Sequence, residues 1–274
     1  MHGATFPSAL SIAHRFPEGS WRDALCGAGF DVWAFDFYGF GYSARYPEMN
    51  EPADAHGPLL LAADAEDQVA TAVRFVAAQT GAAKVHIISH SWGSMPTCLL
   101  AQRHPELVGR IVLFAPITWR QPPRYLPRPD GPAWRLVTVD DQWARFVEDV
   151  PSGTKPVLSR DEFDTWAEAY LQSDSESHSR KPPGVKVPTG PFVEILRAWH
   201  GELPYDPARV NAPVCIIRGE WDGLVTDADA RWLFDAFCAS RDRRDIKIGR
   251  ATHLMHLEEQ RGALWRESIT FLAA

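Results

Sequence analysis

The chain has 274 residues, 45% of them hydrophobic, with four cysteines and a formal net charge of −7 at a pI of about 5.8. That apolar content is ample for one large α/β domain or a core domain carrying an inserted cap. An acidic balance without a long basic run excludes nucleic acid as an expected partner, and no run approaches the ~20 apolar residues of a membrane span. Cys26, Cys98, Cys215 and Cys238 have neither paired nor metal-like spacing, and the start Met-His-Gly-Ala-Thr lacks a basic region followed by an apolar stretch. A soluble cytoplasmic protein with free thiols is the expectation.

Read in chain order, the pattern predicts a helix over Trp21–Ala28, a strand over Asp31–Phe35, a helix over Leu59–Thr80, a strand over Lys84–Ser89 and a helix over Trp92–His104. A strand over Arg110–Phe114 follows. After it, the stretch from Trp119 to about Pro204 breaks the rhythm. It opens with Pro122, Pro123, Pro127, Pro129 and Pro132, which forbid regular structure, and holds a second polar loop with Pro182, Pro183 and Pro188. Short amphipathic helices are predicted within it at Asp141–Glu148, Arg160–Leu171 and Phe192–Trp199. The rhythm then resumes with a strand at Val214–Arg218, a helix at Asp227–Ser240, a strand at Asp245–Ile248 and a helix at Glu258–Leu272. Apolar runs alternating with amphipathic stretches argue for an α/β fold, a mostly parallel sheet flanked by helices. The expected organisation is a core of residues 1–117 and 205–274 with a helical cap, 118–204, inserted between two strands. Trp119, Trp134, Trp143, Trp166 and Trp199 either line a pocket under that cap or fill its own small core.

The segment Lys84-Val-His-Ile-Ile-Ser-His-Ser91-Trp-Gly-Ser94 carries the chemistry. A serine between a buried strand and a helix, flanked two residues away on each side by small residues, is the nucleophile-elbow pattern. The sharp turn strains the serine backbone and sets its Oγ beside the first free N–H groups of a helix, where an oxyanion meets aligned donors. A serine hydroxyl needs a base to take its proton, and that base needs an acid to fix its tautomer. Asp222, in Gly219-Glu-Trp-Asp222-Gly223 just past a strand, is the favoured acid, with Glu220, Asp227 and Asp229 as alternatives. His253, on the loop after the last strand, is the favoured base; His256 reads as a helix-start packing or surface histidine, and His90 as structural under the turn. The other histidines have no metal spacing and Gly39-Phe-Gly41 is no phosphate cradle, so neither metal nor cofactor is expected.

These residues resemble the α/β-hydrolase superfamily. His2-Gly3-Ala4-Thr5 looks like its His-Gly oxyanion loop, and Asp36-Phe-Tyr-Gly39-Phe-Gly41-Tyr-Ser43 like its Asp-x-x-Gly-x-Gly-x-Ser turn. His104-Pro-Glu-Leu-Val108 before Arg110-Ile-Val-Leu-Phe is similar too, so the likeness spans roughly 2–117 and 205–274. It implies a Ser91–Asp222–His253 triad with oxyanion donors at the backbone N–H groups of Trp92 and Ala4. His90-Ser91-Trp92-Gly93 is similar to the His-Asp-Trp-Gly elbow of haloalkane dehalogenases and epoxide hydrolases, but serine replaces their attacking carboxylate. Ser91-Trp-Gly-Ser94 with His104-Pro-Glu106 also looks like proline iminopeptidases, whose oxyanion-loop Pro-Gly is replaced here by Ala4-Thr5-Phe6-Pro7.

The expectation is a serine hydrolase that cleaves a carboxylic ester or thioester of a small acyl substrate. One alternative is an aminopeptidase of the proline-iminopeptidase kind, with Asp140, Asp141, Glu148, Asp161, Glu162 or Asp164 holding a substrate ammonium. Another is a non-catalytic, hydrolase-like binding protein. In the superfamily three strands precede the His-Gly loop, the third in mid-sheet, whereas here the loop follows Met1 directly. The resemblance therefore implies a chain shorter than its functional ancestor. The strands near Val32 and Val85 then either pair directly or leave exposed edges, and Ala4 sits on an untethered, mobile terminus.

Overall fold

The computed structural model describes residues 1–122 and 129–274; Pro123 and Pro127 lie outside the described residues. Six strands are present among the described residues: β1 (Val85–His90), β2 (Val108–Phe114), β3 (Trp134–Thr138), β4 (Gly184–Pro188), β5 (Val214–Gly219) and β6 (Arg243–Ile248). Four of them form an all-parallel sheet in the order β1-β2-β5-β6. Every residue of β5 is buried, as expected of a strand covered on both faces. The edge strand β6 carries Arg243, Arg244 and Lys247, charges that discourage further pairing.

Among the described residues eight α-helices accompany the strands: α1 (Trp21–Gly27), α2 (Ala62–Thr80), α3 (Ser94–Arg103), α4 (Val139–Val147), α5 (Arg160–Gln172), α6 (Gly190–Trp199), α7 (Asp227–Ala236) and α8 (Arg261–Leu272). Their ends follow local chemistry. Ser20 and Asp23 close a capping box on α1, Thr226 and Asp229 another on α7, and Gly81 ends α2 in the left-handed conformation at φ 74°. α8 packs on β2, β5 and α1, α3 on β1 and β2, and α7 on β6. α7 stops at Ala236, short of the expected Ser240, where Phe237 leaves helical geometry.

Two expectations need correction. Asp31–Phe35 is not a strand: it runs beside the outer edge of β1 but is separated from it by a cavity of about 840 Å³. Strand pairing needs a neighbour ~4.8 Å away, and none lies there. The cavity is bounded by residues 30–35, the edge of β1 and one face of α2, and Trp33 at its rim is 47% exposed. The terminus, in contrast, is tethered. Met1 enters this slot in register with β1, its amine donating to Ile88 O (2.6 Å) and its carbonyl accepting from His90 N (3.1 Å).

Between β2 and β5 the chain holds α4, α5 and α6, close to the three helices predicted there. It also holds an antiparallel pair, β3 with β4, that an all-helical reading omits. The five tryptophans in this stretch pack rather than share one pocket. Trp166 is buried against Tyr170 and Phe146, Trp143 lies on Phe163, and Trp119 stacks on Trp232. Trp199 lies under Arg120 and Trp134 under Lys186.

Candidate active site

A parallel sheet places the carboxyl ends of all its strands on one rim, and loops leaving that rim can converge. Ser91 follows β1, Asp222 follows β5 and His253 follows β6. The three meet in one buried line. His253 Nε2 lies 2.8 Å from Ser91 Oγ, and His253 Nδ1 lies 3.0 and 3.1 Å from the two Asp222 oxygens. A carboxylate only accepts, so the imidazole proton sits on Nδ1 and Nε2 is left to accept from the serine hydroxyl. Asp222 Oδ1 also accepts from the backbone N–H groups of Leu224 (2.9 Å) and Val225 (3.0 Å), which fixes its plane. The alternative acids are engaged elsewhere: Glu220 with Arg250 N, Asp227 with Arg218 and Lys247, Asp229 with Arg120 and Thr226.

Ser91 stands at φ 55°, a left-handed conformation that a non-glycine residue adopts at a cost of about 1–3 kcal/mol. Packing around the turn enforces it. A Cβ on Gly93 would meet His2 O at 2.5 Å, and one on Gly3 would meet Ser91 Cβ at 3.1 Å, so the 2–4 segment lies directly on the elbow. Ser94 Oγ donates to Ser91 O (2.6 Å) and accepts from Ile117 N (3.3 Å). Trp92 is fully buried against Phe37, and Ala4 is buried beside the elbow.

His2 locks the segment that carries Ala4. Its Nδ1 donates to Gly3 O (2.8 Å) while its Nε2 accepts from Phe37 N (3.0 Å), a pattern that requires the neutral ring. Burial agrees, lowering its pKa to about 4. Asp36 accepts from Ser8 N (2.8 Å) and Tyr42 N (3.1 Å), which shapes the Asp36-to-Ser43 turn with Gly39 and Gly41 at positive φ.

His90 lies beneath the site, stacked on Phe114 with its Nε2 3.1 Å from His253 O. His256 is buried in a short turn before α8, against Phe6, His90 and Phe114, with neither ring nitrogen paired; burial lowers its pKa to about 3. None of the six carboxylates considered for an ammonium is both buried and unpaired. Asp140, Asp141, Glu148, Asp161 and Asp164 are exposed, and Glu162 pairs with Arg261.

Two buried acids that touch the neighbours of Ser91 and His253 escaped the sequence reading. Glu258 accepts from Thr252 N (2.9 Å) and from the Thr252 hydroxyl, which in turn accepts from Leu254 N (3.1 Å), so both neighbours of His253 are held. Glu194, on α6, accepts from the Trp92 indole Nε1 (2.9 Å) and from Ala62 N (2.7 Å) through the same oxygen. Burial raises both carboxyl pKa values to about 7. Only a Glu at the expected start of the last helix, six residues after Thr252, could have hinted at the first. Nothing in the sequence hints at the second.

The arrangement can activate a hydroxyl for attack on an electrophilic carbon and can return its proton to a leaving group. No curated protein matches the sequence. The backbone resembles a monoacylglycerol lipase from Paleococcus ferrophilus, at TM-score 0.59 and 18% identity over 99% of this chain and 91% of that one. It resembles the 2-hydroxy-6-oxo-6-phenylhexa-2,4-dienoate hydrolase from Rhodococcus sp. strain RHA1 at TM-score 0.62 and 17% identity, covering 100% and 89%. A thioesterase domain from the curacin biosynthetic pathway matches at TM-score 0.60 and 15% identity, covering 98% and 89%. At such identities these likenesses speak for the fold. The family model described as alpha/beta hydrolase fold matches residues 11–260, and with the sheet, the elbow and the converging loops it establishes that this chain belongs to the alpha/beta hydrolase family.

Proposed function

We propose that the chain is a serine hydrolase acting on a carboxylic ester or thioester. The observation that carries this reading is the Ser91–His253–Asp222 line with Ser91 at φ 55°. Ser91 Oγ attacks the acyl carbonyl while its proton passes to His253 Nε2. The carbonyl oxygen, now an oxyanion, is met by the backbone N–H groups of Trp92 and Ala4. The tetrahedral intermediate collapses, the alcohol or thiol leaves with the proton from His253, and the acyl group stays on Ser91. Water, deprotonated by the same imidazole, then attacks the ester and releases the acid. Asp222 holds the tautomer and stabilises the imidazolium at each step. Residues 118–204 act in this reading as the cap that covers the acyl or leaving group. Five of the six candidate carboxylates are exposed to solvent and the sixth, Glu162, is paired with Arg261, which argues against an aminopeptidase.

The test is labelling with a fluorophosphonate probe beside a Ser91→Ala control. Labelling of the wild type that disappears in the control is expected, followed by turnover of p-nitrophenyl esters in preference to prolyl amides. A folded wild-type protein that takes no label would sink the reading and favour a binding protein.

A further inference from the structure

Glu194 is a carboxylate in an unusual position. It is only 8% exposed and lies on α6, yet both bonds of its Oε2 go outside its own helix. One is to Ala62 N, the first residue of the 19-residue helix α2, whose preceding residue Leu61 offers no side-chain cap. The other is to the indole of Trp92, the residue that follows Ser91. A negative oxygen at a helix N-terminus is favoured by the helix dipole, and an ionised acceptor makes a bond roughly twice as strong as a neutral one. The start of α6 is pinned at the same junction. Gly190 N donates to Leu59 O (2.8 Å), and a Cβ at Gly190 would meet the Leu59 and Leu60 carbonyl oxygens at 2.3 and 2.4 Å. Leu60, buried there, is held at φ 63°.

A single oxygen thus joins three parts: the 118–204 segment, the start of α2 and the nucleophile turn. We propose that Glu194 is a positioning residue that fixes the orientation of Trp92, and with it the Trp92 backbone N–H, in register with the seating of α6. This rests on the serine-hydrolase reading, in which that N–H meets the oxyanion. Oxyanion donors act through their aim, and losing one costs about 10²–10³ in rate; a loosened one costs less. Glu194 reaches no reacting atom, so its effect falls on kcat and leaves KM alone. Burial, with Asp64 of α2 adding to it, raises its carboxyl to about 7 against the opposing pull of the Trp92 and Ala62 bonds and of Arg197, so the effect depends on pH in the neutral range.

The experiment compares wild type with Glu194→Gln, Glu194→Ala and Trp92→Phe on a p-nitrophenyl ester from about pH 5.5 to 8.5. Gln keeps an oxygen acceptor but cannot ionise, and taking the ratio of wild type to Gln cancels the titration of His253. That kcat ratio is expected to be near one at the acid end and to rise about three- to tenfold across pH 7, with KM unchanged. Trp92→Phe leaves the cap on α2 intact and is expected to lower kcat while abolishing the pH-dependent ratio. A second readout does not need turnover: the Trp92 indole N–H resonance, identified by its loss in Trp92→Phe, is expected to titrate in wild type and stay fixed in Glu194→Gln. A ratio that stays flat with pH, or a loss confined to KM, in folded variants would overturn the proposal even if the resonance titrates. A wild type unlabelled by fluorophosphonate would overturn both it and the hydrolase reading. Glu194→Ala, with melting followed in parallel, separates these outcomes from simple loss of the α2 cap.

Discussion

At the scale of single residues the site is defined by which nitrogen carries which proton. Asp222 accepts two backbone N–H groups on Oδ1 and faces His253 with both oxygens. In Asp222→Asn the amide oxygen keeps the backbone bonds, so the NH₂ group turns toward His253 and forces the imidazole proton onto Nε2. That tautomer cannot take a proton from Ser91. A fall in kcat of about 10⁴ is expected, with the melting temperature nearly unchanged because size and backbone bonds persist. Equal losses in activity and stability would mean that Asp222 is mainly structural. Ser91, Asp222 and His253 were legible because each stands on the loop after its own strand, in an order that few chains show by chance. Glu194 was not. On a helical wheel it is one more acid, and its inward course depends on Leu60 and Gly190 meeting backbone to backbone, which has no one-dimensional signature.

Elements were legible where they fold on local grounds and opaque where they need a distant partner. β1, β2 and β5 are largely apolar runs, and β5 is buried throughout; β6, Arg-Arg-Asp-Ile-Lys-Ile, is a half-exposed edge strand recognisable only from its two isoleucines. Val32 to Phe35 is also apolar but lies across the 840 Å³ cavity from β1 with nothing to pair with. β3 and β4 are five residues each and meet from opposite ends of a long excursion, a pairing that loop-closure entropy makes hard to anticipate. The unpaired edge has a physical consequence. Trp33 and Phe75 pack edge to face at 5.8 Å on the cavity rim while remaining 47% and 54% exposed. Such an apolar opening binds hydrophobic dyes and promotes edge pairing. Phe75→Lys, on the rim face of α2, is expected to reduce ANS fluorescence and light scattering of concentrated samples while leaving fluorophosphonate labelling of Ser91 unchanged. Unchanged dye binding would mean that the slot is closed to molecules of that size.

For the whole molecule, the decisive quantity is the set of buried groups whose charge folding opposes. Burial holds four bases neutral: His2 near pKa 4, His256 near 3, the Met1 amine near 5, and His90 well below its usual value. An unfolded chain protonates its histidines below about pH 6.5 and its amine below about 8, so these groups remove stability as pH falls through those values. Glu194 and Glu258 act in the opposite sense. Folding raises both to about 7, so between the ordinary carboxyl value of 4.5 and 7 the folded chain keeps protons that the unfolded chain has released. Their contribution therefore grows on acidification across that window and then levels off. The two sets oppose each other from about pH 7 to 4.5; below it the histidines act alone and are joined by carboxylates that folding depresses, Asp174 and Asp229 among them. Four bases outnumber two carboxyls, so urea midpoints are expected to fall from about pH 6.5 downward, with the carboxyls offsetting about half of the loss as far as pH 4.5. In a Glu194→Gln, Glu258→Gln double variant the opposing contribution is gone, and the decline between pH 6.5 and 4.5 is expected to be about twice as steep. An equal slope in the double variant would show that these carboxyls are not the groups holding protons in the neutral range, and would withdraw the pH argument for Glu194 as well.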